Sequence, residues 1–215
     1  MNSPYIFQRT APQVTGEKQP AIFLLHGLAS NEQDLVQLVG DFKAQCHIFS
    51  LQGPIQHKPG YAFYTFEEEG KPQRDVFDKV VKFTEAFILE AIHEFNLDAE
   101  KIYVVGFNQG AVIAQTLALI MGNAIRGTAA LSGYIPEFVA TEYSKKSMDN
   151  SKIFISHGEY DYVYPFAWGE ASATFFADYG TDVTFKTYAD GHGVTPENLR
   201  DLVAFIAQDL VTTLN

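Results

Sequence analysis

With 215 residues, 47% of them hydrophobic, the chain is long enough to bury a sizeable core, and residues 1–215 are expected to form one domain. Fifteen Lys and Arg against 26 Asp and Glu leave a formal charge of −11, which argues against a nucleic-acid surface, because phosphate binding needs clustered cations. The acidity reads as a solvated surface, and Glu67-Glu68-Glu69 as an exposed loop tip rather than a metal site.

Met1–Thr10 lacks a basic stretch followed by an apolar core, so no signal peptide is expected. Ala21–Leu25 is a continuous apolar run ending in His26-Gly27, the pattern of a strand buried on both faces. Asn31 to Val39 then predicts a helix, with Asn31 as its N-cap. The lone cysteine, Cys46, cannot close an internal disulfide and suits a reducing, cytoplasmic setting. His47–Leu51 is a second short strand, closed by Gly53-Pro54. Tyr61–Phe66 fits an extended segment or a loop, and His57 falls in a polar loop. From Asp75 to Phe95 apolar pairs recur at Val76/Phe77, Val80/Val81, Phe87/Ile88 and Ala91/Ile92, one face of a long helix that leaves His93 on the surface.

A strand is predicted over Lys101–Val105 and a helix over Ala111–Met121. The helix is the longest apolar run, yet it is interrupted by Gln115 and too short to span a bilayer. Gly127–Ser132, Lys152–Ser156 and Val183–Tyr188 are further strands. Pro165–Tyr179 and Pro196–Leu210 read as helices, each with a proline suited to a first turn. Strands alternating with helices predict an α/β fold with a mainly parallel central sheet covered on both faces.

Gly106-Phe107-Asn108-Gln109-Gly110 lies between a strand and a helix, where an α/β-hydrolase carries its Gly-x-Ser-x-Gly nucleophile elbow. Asparagine stands at the serine position. It is among the residues that best tolerate a positive φ, so Asn108 can keep the turn while removing its chemistry. His26-Gly27-Leu28 ends the first clear strand. In an acyl-transfer site the backbone N–H groups of Leu28 and Gln109 would hold the oxyanion, although a tight strand exit accounts for His-Gly equally well. Asp161, in Ser156-His157-Gly158-Glu159-Tyr160-Asp161, is the candidate carboxylate partner of an imidazole, with His157 and Glu159 as loop-shaping neighbours. His192, between Gly191 and Gly193, is the candidate base and acid. The order elbow, Asp, His is that of an α/β-hydrolase. Ser30 and Ser132 lie outside any elbow and read as structural.

These motifs, together with Asn31-Glu32-Gln33-Asp34-Leu35 and Ala130-Leu131-Ser132-Gly133-Tyr134, resemble the phospholipase/carboxylesterase family of α/β-hydrolases, which includes acyl-protein thioesterases and small bacterial carboxylesterases. The resemblance runs from about Ala21 to Leu210. It implies an α/β-hydrolase fold without a large cap domain and metal-independent hydrolysis of esters or thioesters. The sequence has no metal cluster or phosphate-cradling loop, so no cofactor is expected, and the lack of a lid-sized insertion favours a small ester or acyl ligand. His192 and Asp161 match the family's base and acid, and Gln109 matches the residue after the nucleophile. Two positions depart: Asn108 replaces the nucleophile, and Tyr162 replaces a proline, a change read as local packing or pocket lining. A carboxamide has no hydroxyl for the base to activate, so ester hydrolysis is expected to be weak or absent. Four readings stay open: a ligand- or partner-binding descendant, a hydrolase using a water activated by His192, a hydrolase whose Asn108 has deamidated to a carboxylate nucleophile, and an exchange that traps an acyl ligand or marks a variant of an active enzyme.

Overall fold

The computed structural model describes residues 5–13 and 18–210, so part of the Met1–Thr10 reading falls on residues outside that range. Seven strands form the central sheet: β1 (Phe7–Thr10), β2 (Gln19–Leu25), β3 (His47–Leu51), β4 (Leu97–Phe107), β5 (Gly127–Leu131), β6 (Lys152–Gly158) and β7 (Asp182–Tyr188). Their spatial order is β1-β3-β2-β4-β5-β6-β7. β1 pairs antiparallel with β3, and every other neighbour is parallel. Five helices accompany them among the described residues: α1 (Arg74–Glu94), α2 (Gln109–Met121), α3 (Glu137–Glu142), α4 (Phe166–Asp178) and α5 (Pro196–Leu210).

The two-residue period of the strands sorts the apolar side chains into two cores. Ala21, Phe23 and Leu25 of β2 face one side with Phe77 and Val80 of α1, Ala111 and Ala114 of α2, and Phe176 of α4. Ile22 and Leu24 face the other side with Leu35 and Val39, and with Leu202, Phe205 and Ile206 of α5. Because both faces are covered, the interior strands carry unbroken apolar runs instead of alternation. This is the α/β-hydrolase fold, a mainly parallel sheet between two helical layers.

Asn31–Val39 is not an α-helix. Asp34–Phe42 forms 3-10 turns with a break at Val39, and Gln33, not Asn31, occupies the capping position. The Asn31 Oδ1 instead accepts the Gln33 N–H at 2.9 Å, and the Ser30 hydroxyl bonds Asp34 at 2.7 Å, so local side-chain bonds take the place of a regular cap. The aromatic segment around Tyr61 is split between two hairpins, Ile55–His57 with Gly60–Ala62 and Phe66–Glu68 with Lys71–Pro72. His57 is therefore in a short exposed strand. Pro165 caps α4 from outside the helix, whereas Pro196 opens α5. β1 and α3 carry no legible signal of their own. Among the described residues no helix is long and apolar enough to cross a membrane.

The site is placed by topology. The chain leaves β2 for β3 on one side and then returns to β4 on the other, so the loops after β2 and β4 diverge across a crevice at the strand carboxyl ends, where open α/β sheets bind ligands. Leu25 is in register with Gly106, and Gly158 with Tyr188, which sets the two pairs of site loops side by side.

Two glycines make the approach possible. A Cβ on Gly110 would collide with the Leu25 carbonyl, and one on Gly106 with the Gly110 carbonyl. Gly110→Ala is expected to lower stability by about 3 kcal/mol or more, since backbone cannot yield as a side chain does. Urea denaturation checks this; a variant as stable as the parent contradicts the close approach. Protonation of His47 should also weaken the fold. Its Nδ1 accepts from the Arg9 guanidinium at 3.1–3.2 Å, and burial followed by that positive charge pushes its pKa down to about 4. Below about 6.5 the unfolded chain binds a proton that the folded chain refuses, so stability is complete above that pH and falls as pH drops toward 4. His47→Gln, which keeps an acceptor for Arg9, is expected to flatten the pH dependence of the urea midpoint over this window, and an unchanged slope would contradict it.

Candidate functional site

β4 runs directly into Asn108, whose φ of 52° and ψ of −116° turn the chain sharply into α2. Left-handed backbone at a non-glycine residue costs about 1–3 kcal/mol and persists only where its surroundings hold it. Here they do. The Asn108 N–H donates to the Leu131 carbonyl at 3.0 Å, its carbonyl accepts from Ala111 and Val112, and the Gly110 N–H reaches the His26 carbonyl at 3.1 Å.

The side chain of Asn108 points into the crevice and bonds at both ends. Its Oδ1 accepts the Leu28 N–H at 3.0 Å, and its Nδ2 lies 2.9 Å from Nε2 of His192. Because a backbone N–H can only donate, the oxygen must face Leu28 and the amino group must face the ring. The amino group donates, so Nε2 is the unprotonated nitrogen. The proton of the neutral ring then sits on Nδ1, 2.7 Å from Oδ2 of Asp161.

The Asp161 side chain is fully buried. Its Oδ1 accepts the N–H groups of Val163 and Tyr164 at 2.8 and 2.9 Å, which ties the carboxylate to its own loop. Its Oδ2 faces His192 and, at 3.3 Å, Nε2 of His157. That same Nε2 is 2.9 Å from the Tyr164 carbonyl, so His157 holds the loop closed from below, as a loop-shaping neighbour would. Glu159 lies at the rim, accepting from the Thr187 hydroxyl. The His192 side chain is 10% exposed, lying against Phe107 at 4.9 Å and edge-on to Tyr164 at 5.6 Å.

Supporting groups fix the loops around these residues. His26 is buried and does not face the crevice: Nε2 accepts the Gly53 N–H at 2.9 Å and Nδ1 lies 2.6 Å from the Gly27 carbonyl. Burial lowers its pKa, consistent with a neutral ring that clamps the exits of β2 and β3 together. A Cβ on Gly27 would press on Phe107 and on Asn108, so that glycine sets the distance between the two loops.

Gln109, singled out for its backbone at the first turn of α2, also has a buried side chain with a separate task. Its Oε1 accepts the Phe63 N–H at 2.9 Å, and its Nε2 donates to the Tyr64 carbonyl at 2.9 Å. It thus holds the aromatic segment 63–64 against the elbow, a role that nothing in the sequence pattern signals. Tyr164 packs edge-on against His192, and burial raises the pKa of its phenol, which stays protonated. Tyr164 was one aromatic among many in this region of sequence, with no spacing to distinguish it.

Tyr162 is 86% exposed and outside the core, with its ring over Gly191 beside His192, and Tyr160, Val163 and Leu28 are exposed as well. The bonds from Asp161 to the N–H groups of Val163 and Tyr164 turn the loop so that residue 162 projects outward. Ser30 bonds Asp34 at 2.7 Å, and Ser132 is buried at a positive φ after β5.

The structure therefore brings Leu28, Asn108, His192 and Asp161 into one continuous hydrogen-bonded chain, and starts α2 at Gln109 beside it. Residues 12–210 match the model of the phospholipase/carboxylesterase family. Acyl-protein thioesterase 1 of Candida albicans is 30% identical over 208 residues, covering 86% of this chain and 90% of that protein. A carboxylesterase of Bacillus cereus superposes with a TM-score of 0.85 at 21% identity, over 95% of this chain and 94% of the other. A carboxylesterase from Mesorhizobium loti gives 0.84 at 19% identity, over 96% of each chain. The fold and the family agree, and the chain belongs to the phospholipase/carboxylesterase family of hydrolases.

Proposed function

We propose that this chain carries the hydrolytic frame of its family, with Asn108 in the nucleophile position, Asp161 and His192 as acid partner and base, and the N–H groups of Leu28 and Gln109 as oxyanion donors. Its ligand is a small ester, thioester or acyl compound. As encoded, it turns over such esters weakly or not at all. The observation behind this reading is the pair of bonds made by the Asn108 carboxamide, 3.0 Å to the Leu28 N–H and 2.9 Å to Nε2 of His192.

With a serine at the elbow, Nε2 would take the hydroxyl proton as the oxygen attacked the acyl carbon, and Asp161 would stabilise the imidazolium through Nδ1. The carbonyl oxygen would gain charge against the Leu28 N–H. Asparagine fills both roles with the wrong atoms. Its oxygen occupies the donor meant for a developing oxyanion, and its amino group occupies the lone pair of the base. Its nitrogen lone pair is delocalised into the carbonyl, so no nucleophile is produced. An entering ester must displace both bonds, which sets a further cost on turnover beyond the missing hydroxyl.

Asn108→Ser tests the proposal. It removes the plug and supplies the hydroxyl in the same turn, so kcat/KM on short p-nitrophenyl esters and on acyl thioesters should rise by at least about 10³-fold. His192→Ala in that background should abolish the gain. A serine variant that folds and gains nothing would show that the frame is not competent for acyl transfer.

A further inference from the structure

The site's own residue is its best-placed substrate. The Asn108 carboxamide sits where an amide would sit for hydrolysis: its oxygen is on an N–H donor at 3.0 Å, and its leaving nitrogen is 2.9 Å from an unprotonated imidazole nitrogen. That imidazole is held by a buried carboxylate at 2.7 Å. The remaining reactant is water, and the His192 side chain beside the carboxamide is 10% exposed. We infer that the site hydrolyses the side chain of Asn108, converting residue 108 to aspartate and releasing ammonia. This rests on the placement of Asn108 proposed above.

The chemistry balances with water alone. The Asn108 amino group first releases the Nε2 lone pair; Nε2 of His192 then takes one proton from water while the water oxygen bonds to Cγ of Asn108, and the charge gathers on Oδ1 against the Leu28 N–H. The tetrahedral centre then collapses and the Cγ–Nδ2 bond breaks, with the imidazolium returning its proton to the departing nitrogen. The nascent carboxylic acid loses its proton to ammonia. Carboxamide and water become carboxylate and ammonium, and His192 is regenerated.

The common alternative, attack by the Gln109 backbone nitrogen to give a succinimide, is opposed by the same structure. The Asn108 carbonyl is pinned by the Ala111 and Val112 N–H groups, which fixes the 108–109 peptide in the first turn of α2. Gln109 is also a bulky successor whose side chain is itself held by Phe63 and Tyr64. The product would place a carboxylate nucleophile at the elbow, suited to attack on an electrophilic sp3 carbon, with the resulting ester open to the same His192-activated water.

The full-length protein, freshly purified and then aged at neutral pH, decides the matter by intact mass and peptide mapping. Conversion should add about 1 Da to the peptide holding residue 108, and in isotopically heavy water the new oxygen should carry the label. The product should be ordinary aspartate, not isoaspartate. His192→Ala and His192→Gln, each checked for an unchanged thermal transition, should slow conversion at least about 100-fold, the usual contribution of a general base. An unchanged mass, an equal rate in both His192 variants, or isoaspartate as the main product would overturn the inference. A serine variant that gains ester turnover while the parent keeps Asn108 would sink self-hydrolysis alone, leaving the placement of Asn108 intact.

Discussion

The carboxamide of Asn108 spans two loops that share no backbone pairing of their own. One end holds the exit of β2 through Leu28, and the other holds the loop after β7 through His192. A serine at this position would leave the donor at Leu28 facing the crevice. Asparagine is one methylene-to-carbonyl step longer and planar, with acceptor and donor on opposite prongs, so it can satisfy both sides at once. The same two bonds fix the tautomer of His192 and hence its partnership with Asp161. The contact proposed to keep the site quiet toward esters is therefore also the one that joins its loops.

That contact is affordable because the surrounding geometry is set by atoms that cannot yield. The glycines at 106 and 110 allow α2 to rest on the carbonyl ends of β2, and Gly27 lets the opposing loop approach Asn108. His26 and Gln109 add neutral hydrogen bonds that lock neighbouring loops without placing charge in the crevice. Asp161 has its backbone donors on one oxygen and its imidazole partners on the other, so each oxygen has a distinct duty. Buried networks of this kind are worth their desolvation only when their members are paired; both Asp161 oxygens are, while Nδ1 of His157 is buried without a partner.

Much of this was legible in the sequence because it is carried by local pattern. Continuous apolar runs marked the interior strands, the Val80/Val81-type spacing marked α1, and the glycines around Asn108 marked the turn. Leu28, Asp161 and His192 could be named because each follows a strand in a fixed order. Other features escaped because they depend on distant partners. The 3-10 turns at Asp34–Phe42 replace a helix through bonds from Ser30 and Asn31 that compete with helical capping. The Gln109 side chain finds its partners some 45 residues away, at Phe63 and Tyr64. Tyr162, in place of the family's proline, reads as local packing or pocket lining, yet beside the backbone bonds to Asp161 it is 86% exposed. Sequence also could not show that the Asn108 carboxamide reaches donor and base together, because that needs the two loops in one place.

Nitrogen NMR of the imidazole rings tests the central claim most directly. At neutral pH, before any change at residue 108, His192 should carry its proton on Nδ1, hydrogen-bonded to Asp161, with Nε2 unprotonated and shifted by the Asn108 amino group. Replacing Asn108 by Ala should perturb Nε2 and leave the Nδ1 proton in place. A His192 ring protonated at Nε2, or one exchanging freely between tautomers, would contradict the account.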